Sequence, residues 1–299
     1  MKPRPTIALL TDFGPADWFV GSMKAVILSR LSDCTIVDLC HAIEPGAVGQ
    51  AAWILERTFR EFPPATIFCA VVDPEVGTER RAIVASGNVE DLQAGGLLCR
   101  RYFFVAPDNG LLTGIRRHVA DGECRVISNE QWMRLSVSRT FHGRDIFAPA
   151  AAQVAIEGGI ESAGDLISDP VEIELPGATV AADGTIEGTV IYFDRFGNAI
   201  TTIERAVADA SEPKQRRRIE SRKSKLANRK WSVAAENFAI ERVSSTYADV
   251  MPGEAAAYWG SLGTLEIAVR NGNARERLGL SLGERICLRL RSQRQKTRG

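Results

Sequence analysis

Residues 65–86 read ATIFCAVVDPEVGTERRAIVAS. Two short runs rich in Val, Ile and Phe flank a polar turn, which is the pattern of two buried strands joined at their polar ends. Working outward, TIALLTD (6–12), TIVDLC (35–40) and RYFFVAPD (101–108) have the same strand character. VGSMKAVILSRL (20–31), GAVGQAAWILERTFREF (46–62) and FAPAAAQVAIEGG (147–159) are longer, amphipathic and helical. Strands alternating with helices predict an α/β N-terminal domain, residues 1–170, with a mostly parallel central sheet. In such sheets ligands gather beyond the carboxyl ends of strands. TDFG, DPEVGTERR and PDNG each follow an apolar strand directly, so one cleft can collect all three.

From about residue 180 the chain becomes Gly- and Thr-punctuated, with short runs such as GTIEGTVIYFD, NAITTI, GTLEIAVR and RICLRLR. These predict a smaller C-terminal β-barrel domain over residues 180–299. It carries a basic insertion at about 205–232, whose core, 213–230, holds nine Lys or Arg between Lys214 and Lys230. A nucleic-acid contact is conceivable for such a run, but a solvated insertion is the simpler reading.

Lys plus Arg equals Asp plus Glu at 37 each, so no global field draws the chain to nucleic acid or to an anionic membrane. The six cysteines lack CxxC spacing and read as buried thiols of a reducing compartment. The N-terminus has too short an apolar run for a signal peptide, and no window is apolar for long enough to span a membrane. A cytoplasmic protein without membrane or nucleic-acid partners is expected. DFG at 12–14 beside HGRD at 142–145 imitates kinase motifs, but in the wrong order and with no Gly-rich loop before them.

Residue chemistry narrows the candidates. Asp73 stands seven and eight residues before Arg80 and Arg81, so a returning loop can bring one guanidinium to its carboxylate. Such a pair is equally at home closing a loop. His142 lies among charged neighbours and is either a water-handling group or a satisfied core histidine. Arg144 and Asp145 are expected to pair with each other or with backbone. Asp12 and Asp17 share one strand-end loop suited to hydroxyls, a cation or an amino group. Asp194 and Asn198 lie in DRFGNAIT, which also suits a plain turn. No clustered His or Cys ligands suggest a metal, and neither a GxSxG elbow nor a Cys–His pair suggests a covalent nucleophile.

Taken in order, TDFGPADWFVGSMK, VVDPEVGTERRAI, FVAPDNGLLT, TFHGRDIFAPAAA, DRFGNAITTI and GTLEIAVRNGNA resemble the S-adenosylmethionine hydroxide adenosyltransferase family, relatives of the fluorinases and chlorinases. The likeness spans about residues 6–290. It implies hydrolysis of S-adenosyl-L-methionine to adenosine and L-methionine, with no cofactor and no metal. It also implies a homotrimer with active sites between subunits. Asp73, Arg80 and His142 fall on the family's water-handling set, Asp12 on its ribose contact, and Asp17, Asp194 and Ser261 on its methionine contacts. Asn198 and Tyr247 fall on its adenine contacts. Halogenases place other residues at the Asp and His positions, and the fluorinase has serine at Gly143. Halide transfer, or binding with little turnover, are the alternatives. This chain departs from the family at Glu75, where glycine is usual, at Gly46, where an aromatic is usual, and in the longer segment ASGNVEDLQAGGLLCRR.

Overall fold

The computed structural model describes residues 4–93, 96–211 and 231–291, and most of the basic insertion lies outside them. Two compact units divide the chain, Met1–Leu175 and Pro176–Gly299.

In the first unit, β1 (Thr6–Thr11), α1 (Trp18–Arg30), β2 (Thr35–Cys40), α2 (Val48–Thr58) and β3 (Ile67–Val71) alternate as the sequence predicts. They are followed by β4 (Ala82–Gln93), β5 (Gly96–Pro107), α3 (Thr113–Arg116), β6 (Ala120–Val126) and α4 (Ala148–Glu157). The six-stranded sheet runs β2-β1-β3-β5-β4-β6. The first three junctions are parallel and the last two antiparallel, so the sheet is mixed. The antiparallel part arises because β4 and β5 are consecutive arms of one hairpin, and so short a connection cannot reverse the chain into a parallel partner. The strand β6 had no counterpart in the sequence reading.

The long segment that departs from the family is that hairpin. Ala82 pairs with Pro107 at one end and Gln93 with Gly96 at the other. Because β3 meets β5 only at Phe103–Val105, the added length projects past the amino end of β3. It therefore leaves the carboxyl edge, where Asp73 sits, untouched.

Strand alternation sends Ile7, Leu9, Cys69 and Val71 against α1 and α4. Phe68 goes to the opposite face, stacked on Phe104 at 5.3 Å with Phe59 and Tyr102 around it. The helix α4 approaches closely because Ala148, Ala150, Ala151 and Ala152 are all fully buried. It ends at Gly158 in the left-handed conformation, the usual glycine stop. Each buried aromatic or branched side chain contributes about 1.5–3 kcal/mol of transfer free energy.

The second unit contains β7 (Thr179–Val180), β8 (Ile186–Phe193), β9 (Ala199–Glu204), α5 (Arg205–Ser211), β10 (Trp231–Ala234) and β11 (Ala239–Ile240). It continues with β12 (Val243–Ser244), β13 (Ala255–Trp259), β14 (Thr264–Val269), α6 (Ala274–Arg277) and β15 (Arg285–Leu290). Its nine-stranded sheet runs β11-β10-β15-β8-β9-β14-β13-β12, with β7 on β8. The two ends approach each other, β10 near β12 and β11 near β13, so the sheet is nearly closed. Its interior is filled by alternating residues such as Ile186, Val190, Ile203, Leu265, Ile267 and Leu288.

All six cysteines are free thiols. Only Cys69 is fully buried and Cys99 is exposed, which corrects the uniform burial expected from their apolar neighbours. Among the described residues no helix is long and apolar enough to cross a membrane.

Candidate active site

Because β2, β1, β3 and β5 run parallel, Asp12, His41, Asp73 and Asp108 emerge at one edge of the sheet. The start of β4 brings Arg80 and Arg81 to the same edge. The turn after Asp73 is closed by the Val76 N–H on the Asp73 carbonyl (3.3 Å) and the Thr78 N–H on the Glu75 carbonyl (3.2 Å). Its one left-handed residue is Gly77, where an added Cβ would strike the Arg139 carbonyl. Glu75 has a negative φ, so this turn does not require glycine there.

Adjacent arginines diverge. Arg81 donates to Asp108 at 2.7 Å and to Asp169 at 2.9 Å, tying β4 to the segment after α4. Asp108 also accepts the Val171 N–H, so the PDNG aspartate is a structural anchor. Asn109 contributes indirectly: its amide donates to the Val72 carbonyl (2.9 Å), immediately before Asp73.

Arg80 forms the bidentate pair with Asp73, Nε to Oδ1 at 2.9 Å and Nη2 to Oδ2. Both side chains are about 95% buried, at 5% and 4% exposure. The same Nη2 lies 2.7 Å from His142 Nδ1. A guanidinium has donors and no acceptor, so Nδ1 must accept and the ring proton sits on Nε2. Burial first, and then the Arg80 charge, push the His142 pKa below its usual value, which favours this neutral ring. Below the guanidinium lies the Phe147 ring at 5.1 Å.

His142 and Phe147 bracket a π-helical turn, Gly143–Phe147, in which the Ala148 N–H reaches back to the Gly143 carbonyl. Such one-turn insertions are frequent at functional sites because they redirect side chains. Asp145 holds this turn. Fully buried, it accepts from Arg144 (2.7 and 2.9 Å), Arg134 (3.3 Å) and the Ser138 N–H (2.8 Å). The expected Arg144–Asp145 pair is therefore present. Above Gly143 the space is closed: a Cβ would lie 3.2 Å from Phe13, 3.2 Å from Phe141 and 3.3 Å from Met23.

Asp12 accepts the Gly46 N–H at 2.8 Å, and burial raises its pKa, with the Asp73 charge adding to the rise. Asp12 and Asp73 thus share one neighbourhood. Gly46 itself is left-handed (φ 73°) and lies against Pro74, so the aromatic usual there would strain this backbone. Asp17 is exposed at the start of α1 and makes no capping bond.

In the second unit Asp194 closes the β8–β9 turn. Its carboxylate accepts the Phe196 and Asn198 N–H groups and the Asn198 side-chain amide, each at 2.9 Å. Two residues that sequence reasoning missed belong to this end. Tyr258 and Glu266 are directly paired across β13 and β14 and hydrogen-bonded to each other, and both feel the Asp194 charge. Burial, ahead of that charge, raises both pKa values. A single acidic residue inside the apolar strand TLEIAV was the available signal. Tyr247 is exposed and meets Tyr258 edge-on at 6.1 Å. Ser261, also exposed, follows Gly260, against which Glu266 packs. Among the described residues no group of three or more His, Cys, Asp or Glu is placed to hold a metal ion.

The fold and these side chains define a two-unit protein, α/β and near-barrel, whose first unit gathers a buried Asp–Arg pair and a histidine at the carboxyl edge of its parallel strands. The chain belongs to the S-adenosylmethionine (SAM) hydroxide adenosyltransferase family: residues 7–164 match that family's N-terminal domain and residues 188–287 its C-terminal domain. It is 36% identical over 291 residues to an (R)-S-adenosyl-L-methionine hydrolase of Salinispora tropica, covering 96% of this chain and 98% of that one. A fluorinase of Actinopolyspora mzabensis is 32% identical over 216 residues, covering 68% of this chain and 72% of that one. The crystal structure of an uncharacterized conserved protein from Thermotoga maritima superposes with a TM-score of 0.78 at 32% identity, covering 94% of this chain and 99% of that one.

Proposed function

We propose that this protein hydrolyses S-adenosyl-L-methionine to adenosine and L-methionine. The observation that carries the reading is the meeting of Asp73 and His142 on one guanidinium nitrogen of Arg80, in a chain whose hydrolase relatives match along nearly its whole length.

Water attacks ribose C5′ in line with the sulfonium. A C–O bond forms, the C5′–S bond breaks with its electron pair going to sulfur, and methionine leaves as a neutral thioether. No acid is needed at the leaving group, so catalysis rests on a positioned water and a place for its proton. With Nδ1 engaged, His142 offers Nε2–H to the water oxygen. The proton then passes to Asp73, whose oxygens retain lone pairs beyond those Arg80 occupies. Arg80 keeps that carboxylate and ring in register. Asp12 takes the ribose hydroxyls, and Asp17, Asp194 and Ser261 the methionine end. Asn198 reads adenine and Tyr247 stacks on it. The protein works in the cytoplasm as a homotrimer, one subunit's first unit meeting a neighbour's second unit around the substrate, with no cofactor. Sedimentation equilibrium returning the single-chain mass, 32.6 kDa, would sink the trimer.

Halide transfer is the second reading, and crowding at Gly143 argues against it. Even the Cβ of a serine there would need Phe13, Phe141 and Met23 to yield a few tenths of an ångström. Purified protein incubated with S-adenosylmethionine, with and without chloride or fluoride, should release adenosine at a rate independent of halide. Gly143→Ser should lower that rate without producing a 5′-halo-adenosine. A halogenated product from either protein would overturn the hydrolase reading, and unchanged substrate would leave a binding protein.

A further inference from the structure

The mechanism leaves one strand-end histidine unused. We infer that His41 is a positioning residue, clamping the loop that carries Asp12 through Thr11 and Asp38 so that the carboxylate meets the ribose; this rests on the reading of Asp12 as the ribose contact.

His41 grips the chain on both sides of Asp12. Before it, Thr11 Oγ1 lies 2.8 Å from His41 Nδ1, and after it the Gly14 N–H donates to the His41 carbonyl at 2.8 Å. The Asp12 carboxylate is held by Gly46, at the far end of the segment that begins with His41. The other ring nitrogen, Nε2, is 3.0 Å from Asp38 Oδ1, and Lys24 donates to Asp38 Oδ2 at 2.7 Å.

Proton counting orders the chain. The Phe13 N–H already donates to Thr11 Oγ1 (3.2 Å). The Asp38 carboxylate can only accept, so Nε2 carries the ring proton, and Nδ1 then accepts the Thr11 hydroxyl proton while a lone pair of that oxygen takes the Phe13 N–H. Lys24 anchors Asp38 on α1, so the loop is tied to β2 and α1 through one histidine. The grouping imitates a Thr-His-Asp nucleophile, but the Thr11 side chain is fully buried and its oxygen occupied. It fixes geometry and does not attack substrate. Such fixing is needed because the Asp12 carboxylate sits in a site that disfavours its charge, beside Asp73.

The test measures binding of adenosine and of 2′,3′-dideoxyadenosine to the full-length enzyme by calorimetry. Asp12→Ala should weaken adenosine and leave the dideoxy analogue unchanged. His41→Ala should show the same selectivity, with a loss of about tenfold, the scale of one hydrogen bond to a charged group. His41→Asn, which keeps an amide near the Nδ1 position, should restore most of the loss. His41→Gln, which keeps only the Asp38 end, should not. In turnover, His41→Ala should raise KM for S-adenosylmethionine more than it lowers kcat. Ribose-selective loss in Asp12→Ala but not in His41→Ala overturns the clamp. Equal loss of both nucleosides in His41→Ala also overturns it, leaving a purely structural histidine. If Asp12→Ala itself discriminates nothing, the ribose reading of Asp12 fails first, and that variant alone reveals it.

Discussion

Replacing His142 with alanine should lower kcat by about 10²–10⁴-fold, the usual worth of a positioned acid–base group, with little change in KM. The companion variants assign the proton. With Nδ1 accepting from Arg80, the ring's service to water is a donated Nε2–H. His142→Gln supplies an N–H near that place and should keep more activity than His142→Asn, while Asp73→Asn should be as inactive as His142→Ala. Were histidine the proton acceptor, His142→Gln would be no better than alanine. The acid limb of kcat/KM offers a second check. Burial and Arg80 lower the His142 pKa, so the neutral ring persists as pH falls through the usual histidine value of about 6.5, and this limb should lie below it. The same shift gives a stability sign. The unfolded chain takes up the proton first, so stability contributed by His142 is present above about pH 6.5 and is lost as pH falls towards the lower folded value. A limb at or above 6.5 that vanishes in His142→Gln would contradict the assigned tautomer.

Asp73→Ala should destabilise the fold by about 3–5 kcal/mol, because it leaves the buried Arg80 guanidinium without its carboxylate partner. Urea unfolding with an unchanged slope would measure this as a lower midpoint. The informative control is the double replacement Asp73→Leu with Arg80→Met. Removing both charges and filling the space should recover most of that stability, since a buried ion pair repays little beyond its own desolvation. It should recover no turnover. A double variant as unstable as Asp73→Ala would mean that the pair holds the fold together in its own right. An active one would remove both residues from the chemistry.

Within the first unit, some elements were announced by the sequence and others were not. Strand runs such as TIALLTD and ATIFCAVVD, buried on both faces, marked the parallel part of the first sheet, and their polar ends marked its functional edge. The hairpin of β4 and β5 was harder to read: GNVEDLQAGGLLCRR lacks the apolar density of a core strand because it extends past the end of β3. The strand β6 was missed beside it. At the site, the seven-residue spacing of Asp73 and Arg80 proposed a pair but did not choose between Arg80 and Arg81. The choice follows from neighbouring residues pointing to opposite faces, which sends Arg81 to Asp108.

Alone, the sequence determined the α/β-plus-β class, though not the mixed character of the first sheet, together with the reading of the six ordered motifs and the family, because periodicity and motif order are properties of the chain. The ring nitrogen facing Arg80, the clamp of His41 on the Asp12 loop, the closed space above Gly143 and the Tyr258–Glu266 pairing were decided only by tertiary structure. Each depends on groups far apart in sequence meeting within hydrogen-bond or van der Waals reach, as Arg80 and His142 do across 62 positions. In TFHGRDIFAP the letters left His142 open between core and catalyst. The π-helical turn and the buried Asp145 beneath it aim the ring at Arg80, and that direction is a property of packing rather than of any local run of residues.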